Sequence, residues 1–170
     1  ANTYDGGTTV SVGTLLANNT SGSATGPASV TVESGSALGG DGSIAGAVTV
    51  ENGGSAGAGD AAAGDLATTS GATLDASSTL TVELNGATAG TEYDQWVVTG
   101  TATITDSNLS ASRLTSFVPA VGTEFVIVDN DLADAIVGTF SGLVEGASTT
   151  IGGIEFSISY IGGDGNDVVL

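Results

Sequence analysis

An all-β fold built as a parallel β-helix, or β-solenoid, is what this 170-residue sequence predicts, and three observations carry the prediction. The first is a repeat: Val30-Thr31-Val32-Glu33-Ser34-Gly35-Ser36 returns as Val48-Thr49-Val50-Glu51-Asn52-Gly53-Gly54-Ser55 at an offset of 18 residues. At about 3.3 Å per residue that unit makes roughly 60 Å of extended chain, too short for a four-stranded propeller blade but the length of one coil. The second is alternation, since Thr between two Val residues puts both Val side chains on one face of a strand and Thr on the other. The third is composition: 28 Gly and a single Lys or Arg residue, amid abundant Thr, Ser, Val and Ala, read as strand and turn throughout.

Taken in order, residues 8–16 read as a first strand through Val10, Val12 and Leu15. Residues 17–27 have the composition of an exposed loop and carry sequons at Asn18 and Asn19. Leu38 and Ile44 add inward residues between the two repeats, with glycines where the chain must bend. Residues 58–64 read as a bend or outer loop, because seven residues between glycines nucleate a helix poorly. The pattern resumes at Leu66, 18 residues beyond Val48, and continues through residues 80–84, 93–100 and 102–105 at spacings of about 14 to 17 residues. Residues 124–128 form a further strand, and residues 154–161 alternate with Ile154, Phe156, Ile158 and Tyr160 on one face. Large aromatic residues gather beyond Leu114. The expectation is one domain over 1–170, with small-residue coils in 1–113 and a thicker, aromatic-richer part of the same core in 114–170. Val30, Val32, Leu38, Ile44, Val48, Val50, Leu66, Leu74, Leu80 and Val82 are expected to stack inward.

One Arg against 19 carboxylates gives a formal charge of -18, which repels nucleic acid and anionic membranes. No apolar run approaches the ~20 residues of a membrane span, so neither nucleic-acid binding nor membrane insertion is expected. Without Cys there is no disulfide framework and no thiolate metal site. Without His, Lys or Cys there is no imidazole base, Schiff-base amine or thiolate nucleophile, and no pair stands out among the carboxylates for glycoside cleavage. The chain is read as a non-enzyme with no catalytic residues and no required cofactor. It starts Ala1-Asn2-Thr3-Tyr4 rather than with Met, as a chain does after signal-peptide removal or as a cut fragment does, and the expectation is a secreted, extracellular or cell-surface protein with its signal peptide removed.

Residues 39–50, then Glu92-Tyr93-Asp94-Gln95 leading into Val97-Val98-Thr99-Gly100, then residues 162–170, resemble the autotransporter-associated β-strand repeats of bacterial surface proteins over roughly residues 8–170. The resemblance implies a right-handed parallel β-helix of the passenger type and a place at the cell surface, and it is weak on function because such stalks serve many surface proteins. The sequence stops at Leu170 with no membrane-barrel domain and is shorter than a typical passenger, which leaves room for a free-standing extracellular subunit.

The sharpest local motif is Gly162-Gly163-Asp164-Gly165-Asn166-Asp167-Val168-Val169-Leu170, which fits the glycine-rich nonapeptide of calcium-binding β-rolls. Asp164, Asn166 and Asp167 are its candidate calcium donors, with a plain glycine turn as the competing reading. The group Asp129, Asp131 and Asp134 is a second acidic cluster, read as a looser cation site or a solvated loop. Thr101, Thr103 and Thr105 form one visible rung of a threonine array, which needs several rungs to make a binding ladder.

The functional expectation is a structural extracellular protein, a subunit of a non-covalent surface fibre or matrix assembled head to tail with copies of itself. An open solenoid exposes unpaired backbone groups at both ends, and such edges template further pairing. Neither end shows a sequence cap, so Val10 and Val12 at one end and Val168 and Leu170, on a bare last strand, are expected at the junction. The alternative is an adhesin stalk or passenger fragment that binds a receptor or glycan through exposed loops such as residues 17–27.

Overall fold

The computed structural model describes residues 1–114, 116–131 and 134–170, and every regular element among them is a β-strand. The chain travels in repeated passes. The first makes β1 (Thr8–Val10) and β2 (Gly13–Leu16); the second makes β3 (Val30–Val32), β4 (Ser36–Gly39) and β5 (Ser43–Ile44). The third makes β6 (Val48–Val50), β7 (Ser55–Gly57) and β8 (Asp65–Thr68), and the fourth β9 (Ala72–Leu74), β10 (Thr79–Leu84) and β11 (Gln95–Val98). The fifth makes β12 (Ala102–Thr105), β13 (Asn108–Arg113) and β14 (Val126–Asn130). After β15 (Val137–Thr139) the pattern changes to β16 (Ser148–Ile151), β17 (Ile154–Ser157), β18 (Ser159–Gly162) and β19 (Asp167–Val169).

Strands from successive passes stack in parallel into three sheets. Sheet 1 has the order β1-β3-β6-β9-β12-β15, sheet 2 the order β13-β10-β7-β4-β2, and sheet 3 the order β18-β19-β14-β11-β8-β5. Each full pass visits sheets 1, 2 and 3 in turn. The expected first strand over 8–16 is therefore two strands in different sheets, with the chain turning at Ser11 and Val12.

Register replaces the constant spacing read from the sequence. Val30 pairs with Val48, the 18-residue step of the visible repeat, but Val48 pairs with Ala72, Ala72 with Ala102, and Thr103 with Val137. The passes thus lengthen to 24, 30 and 34 residues. Leu66, which stands one repeat length beyond Val48, belongs to β8 in sheet 3 and stacks on Trp96 instead. Most of the extra chain enters at one place, the corner between sheets 2 and 3, where the connection grows from residues 40–42 to 58–64, 85–94 and 114–125. An insertion anywhere along a strand shifts the register and turns side chains to the wrong face, whereas a corner absorbs residues without disturbing the ladder.

All ten residues expected to point inward are buried. Val32, Val50, Leu74 and Ile104 form one ladder in sheet 1; Leu38, Ala56 and Leu80 form another in sheet 2. The interior grows in side-chain size as the passes lengthen, from Val and Ile near the N-terminal end to Trp96, then Phe125 and Phe140. Phe125 meets Tyr93, Phe117 and Phe156 edge-on at centroid distances of 5.3, 6.1 and 6.0 Å, filling the longer corners with large rings in their preferred geometry.

Both ends differ from expectation. Residues 17–27 lie along the edge of β5 with one side docked and the other open: Ala17, Ser23 and Thr25 are buried, while Asn18, Thr20, Ser21, Gly22 and Pro27 are exposed. Asn18 Oδ1 accepts the Asp41 N–H at 3.1 Å, Asn19 Oδ1 the Ser43 N–H at 3.0 Å, and Ser23 Oγ the Ala45 N–H at 3.0 Å. Short polar side chains thus take the place of a neighbouring strand's carbonyls. At the other end β19 is not a bare edge, because it pairs antiparallel with β14 on one side and β18 on the other. The alternating stretch 154–161 breaks at Ile158; its first half forms a hairpin with β16 across Gly152-Gly153, whose φ values of 54° and 82° match a two-residue turn. The only Arg ties this hairpin down, with Arg113 Nη2 donating to the Gly152 carbonyl at 2.6 Å and Nη1 to those of Leu114 and Phe117.

Leu66 is fully buried, so Leu66→Ala is expected to cost about 2–5 kcal/mol in urea unfolding, while Val121→Ala at a fully exposed site should stay within about 0.5 kcal/mol of the parent. Gly46→Ala should destabilise although Gly46 is not left-handed, because its Cβ would overlap the Ala28 carbonyl of the preceding pass.

Candidate functional site

Three features bear on function: the sheet edges, the glycine-rich C-terminal turn with its acidic surroundings, and the outward faces of sheets 1 and 2.

The edges do not treat the four expected junction residues alike. Val10 is 8% exposed, in the core beneath β1, whereas Val12 at the turn into β2 is 89% exposed. Val168 is 0% and Leu170 5% exposed, and Leu170 exchanges both backbone hydrogen bonds with Phe125 at 2.8 and 2.9 Å. Those two residues are core, so a charge placed there would break the monomer rather than report on a contact between copies. The sequence misled here because a C-terminal Val-Val-Leu reads identically on an open edge and on a strand enclosed between two others. The outermost strands are β1 and β15 in sheet 1 and β2 and β13 in sheet 2. Within the parallel ladder, Thr8 donates to Ser29 and Val10 accepts from Glu33, so the Thr9 N–H and C=O face away from β3.

The C-terminal turn draws together two clusters that the sequence separates by some thirty residues. Asp167 is 4% exposed; its Oδ1 accepts the Asn130 N–H at 2.9 Å and its Oδ2 the Asp164 N–H at 3.2 Å. Asn166 Nδ2 reaches across to the carbonyls of Asp131 and, at 2.9 Å, Asp134. Asp164 contributes its backbone N–H here and keeps an exposed side chain. Of the three candidate calcium donors, Asp167 therefore has both oxygens engaged by backbone amides and Asn166 works as a donor. The arrangement is that of a hydrogen-bonded turn locked onto the loop after β14. Asp131 Oδ2 in turn accepts the Gly100 N–H at 2.7 Å, binding that loop to the preceding pass.

Asp94 is a functional-looking carboxylate that sequence reasoning did not single out. It ends the 85–94 corner, is 4% exposed, and accepts the Gly64 N–H at 3.0 Å on Oδ1 and the Glu83 N–H at 2.8 Å on Oδ2. Burial, only partly offset by those two N–H donors, pushes its carboxyl up to about 6, with Glu83 and Asp41 adding repulsion. Burial likewise raises Asp65 and Asp129, the latter with repulsion from Asp167, Asp164 and Asp65. Glu92 moves the other way because the Thr88 side chain, and after it the N–H groups of Thr88 and Ala87, hydrogen-bond to its carboxylate at the surface.

The threonine array is longer than the one rung read from the sequence, and it runs across strands rather than along one. Thr9, Thr31, Thr49, Thr73 and Thr103 stand in direct register on the outward face of sheet 1, one per pass. At about 4.8 Å between strands they form a straight column of methyl and hydroxyl groups, and threonine pairs of this kind favour cross-strand pairing. Only the pair of Thr31 and Thr49 was visible as a repeat, because unequal pass lengths hide the other members. On sheet 2 the outward face forms a shallow trough under the 58–62 loop, lined by Thr14, Gly39, Gly57, Thr81 and Glu83.

Comparisons with protein families, with curated proteins and with solved structures found no match to this chain.

Asp94 binds protons more readily folded than unfolded, so its contribution to stability is fully present below about 3.8 and is lost as pH rises through about 6. Asp65 and Asp129 act in the same sense and Glu92 in the opposite one. The thermal midpoint is expected to fall between pH 4 and pH 6.5, and a calorimetric series on Asp94→Ala should show a smaller fall over that window. The same variant should lose about 1–3 kcal/mol at neutral pH, because two backbone N–H groups lose their acceptor.

Proposed function

We propose that the chain is a structural module, a right-handed parallel β-helix that serves as the subunit of a non-covalent extracellular fibre or matrix. The observation that carries this reading is sheet 1, a six-stranded parallel sheet with an open strand on either side, β1 and β15. Both edges belong to the same parallel sheet, so β15 of one copy can lie beside β1 of the next in the sense the sheet already uses. Such a contact is heterologous, and repetition of it without closure gives a filament. Exposed apolar side chains stand beside both edges, Val12 at 89% and Val137 at 50%. The junction is therefore assigned to Thr9 and Val12 on one copy and Val137 on the other, and no longer to Val168 and Leu170.

The cyclic visits to three sheets and the in-register inward ladders support the β-helix reading. The resemblance to autotransporter-associated repeats supports the cell-surface location. The stalk reading, in which residues 17–27 display a binding loop, is less favoured, because that loop is spent on covering β5.

The test is Thr9→Pro. Proline there removes the outward N–H of β1 and leaves the bonds from Thr8 and Val10 to β3 in place, a substitution that edge strands tolerate. Light scattering and negative-stain microscopy should show filaments for the parent and monomers for Thr9→Pro and Val137→Lys, all with the same β-type circular dichroism. A parent that stays monomeric at high concentration, or filaments of unchanged form in both variants, overturns the reading.

A further inference from the structure

The trough on the outward face of sheet 2 runs across the strands rather than along them. In register, Leu16, Gly39, Gly57, Thr81 and Ser110 fall in one outward column, one residue from each of β2, β4, β7, β10 and β13. Thr14 and Ser55 stand in the column beside it, and Glu83 lies next to Ser112 on the other side. At about 4.8 Å between strands the column is about 19 Å long. Its middle is low because two successive passes place glycine there, and residues 58–62 rise along one side as a wall. Neither glycine has a positive φ, so space and not backbone conformation calls for them: a Cβ on Gly57 would overlap Thr81 Oγ1, and one on Gly39 would press on the Gly59 carbonyl and Leu16 Cδ2. The space enclosed is about 400 Å³, within the roughly 300–1,000 Å³ of small-ligand sites.

The lining has a definite chemistry. Hydroxyl groups of Thr14, Ser55, Thr81, Ser110 and Ser112 border the trough together with the Glu83 carboxylate. Those of Thr14, Ser110 and Ser112 bond to no described group of the protein, and Glu83 Oε2 accepts from Asn85 Nδ2 at 3.3 Å. Hydroxyls donate and accept, a carboxylate accepts only, and no basic side chain borders the trough. Such a lining repels anions and matches an uncharged ligand rich in hydroxyl groups, while Leu16 and Ala62 offer small apolar patches to its C–H faces. The wall is strained as well: Ala61 has a φ of 62°, a left-handed conformation that a side chain disfavours and that gathers at sites which grip ligands.

We propose that this trough binds a short stretch of an uncharged polysaccharide, laid across the strands with its hydroxyl groups on the serine and threonine side chains and one of them donating to Glu83. An elongated, narrow trough suits a linear chain of sugar rings better than a compact ligand. Acidic polysaccharides are turned away by Glu83, by Asp60 on the wall and by the formal charge of -18. The trough lies on sheet 2 and the junction between copies is assigned to sheet 1, so the two readings stand or fall separately.

The experiment titrates the whole chain, labelled with nitrogen-15, with cellotetraose, maltotetraose, xylotetraose and chitotetraose, and with tetragalacturonate as the anionic counterpart. At least one uncharged tetrasaccharide should shift the amide signals of Gly57, Thr81 and Ser110 saturably at millimolar concentration, and tetragalacturonate should shift none of them. Ser110→Leu, at an exposed position on β13, and Glu83→Gln should each weaken binding by about tenfold, the contribution of one good hydrogen bond. Thr105→Leu, exposed on β12 of sheet 1, should bind like the parent. All three variants should keep the circular dichroism of the parent, and should one fail to fold, the map of shifted amides on the parent decides alone. Absence of saturable shifts with every uncharged tetrasaccharide, shifts centred on residues 17–27 instead, tighter binding of tetragalacturonate, or parent-like affinity in both Ser110→Leu and Glu83→Gln each overturns the proposal.

Discussion

The parallel backbone ladder between successive passes is the constraint from which the rest of this structure follows. Each pass must land its strands residue for residue on the pass before, so that Val32, Val50, Leu74 and Ile104 fall in one inward column and Thr31, Thr49, Thr73 and Thr103 in one outward column. A slip of a single residue would exchange the two columns. Pass length is therefore free to vary only at corners, and the corner between sheets 2 and 3 takes up most of the growth. The longer corners bring in the large side chains that fill them, which is why Tyr93, Phe117 and Phe125 meet where the connections are longest.

Lengthened corners create a second problem, since backbone N–H groups that leave the ladder need acceptors. The chain meets it with carboxylates. Asp94 accepts from Gly64 and Glu83, Asp131 from Gly100, Asp167 from Asn130 and Asp164, Glu92 from Ala87 and Thr88, and Glu145 from Tyr160 at 2.6 Å. An acidic residue in such a position holds the backbone as a capping residue holds a helix terminus. This gives five of the 19 carboxylates a structural reason.

The two ends of the stack are finished by different means. At the N-terminal side the edge of β5 is covered by a loop whose Asn18, Asn19 and Ser23 side chains imitate a strand, while β1 is left as the outer strand of sheet 1. At the C-terminal side the direction of pairing reverses, and β19 with β18 and the β16–β17 hairpin closes over the aromatic residues. Tyr160 fastens this closure, its hydroxyl accepting the Phe140 N–H at 2.9 Å and donating to the Leu143 carbonyl at 2.6 Å. A change from parallel to antiparallel pairing interrupts the addition of further passes in sheet 3 but leaves sheet 1 unaffected.

By itself the sequence determined the all-β class, the inward residues and the stacking of Val30-Thr31-Val32 on Val48-Thr49-Val50, because alternation and β-branched composition are local properties written along the chain. It did not determine the later registers. Which residue of β9 lies on Val48 depends on how much chain the 58–64 corner absorbs, and no local preference encodes that number. It could not distinguish a docked loop from an exposed one at residues 17–27, since asparagine and serine suit solvent and a strand edge equally. Nor could it show that Val168 and Leu170 lie inside, or that Gly39 and Gly57 share one outward column of sheet 2. Those facts arise only when segments far apart in the chain meet, since burial and partnering belong to the assembled neighbourhood and not to the residue.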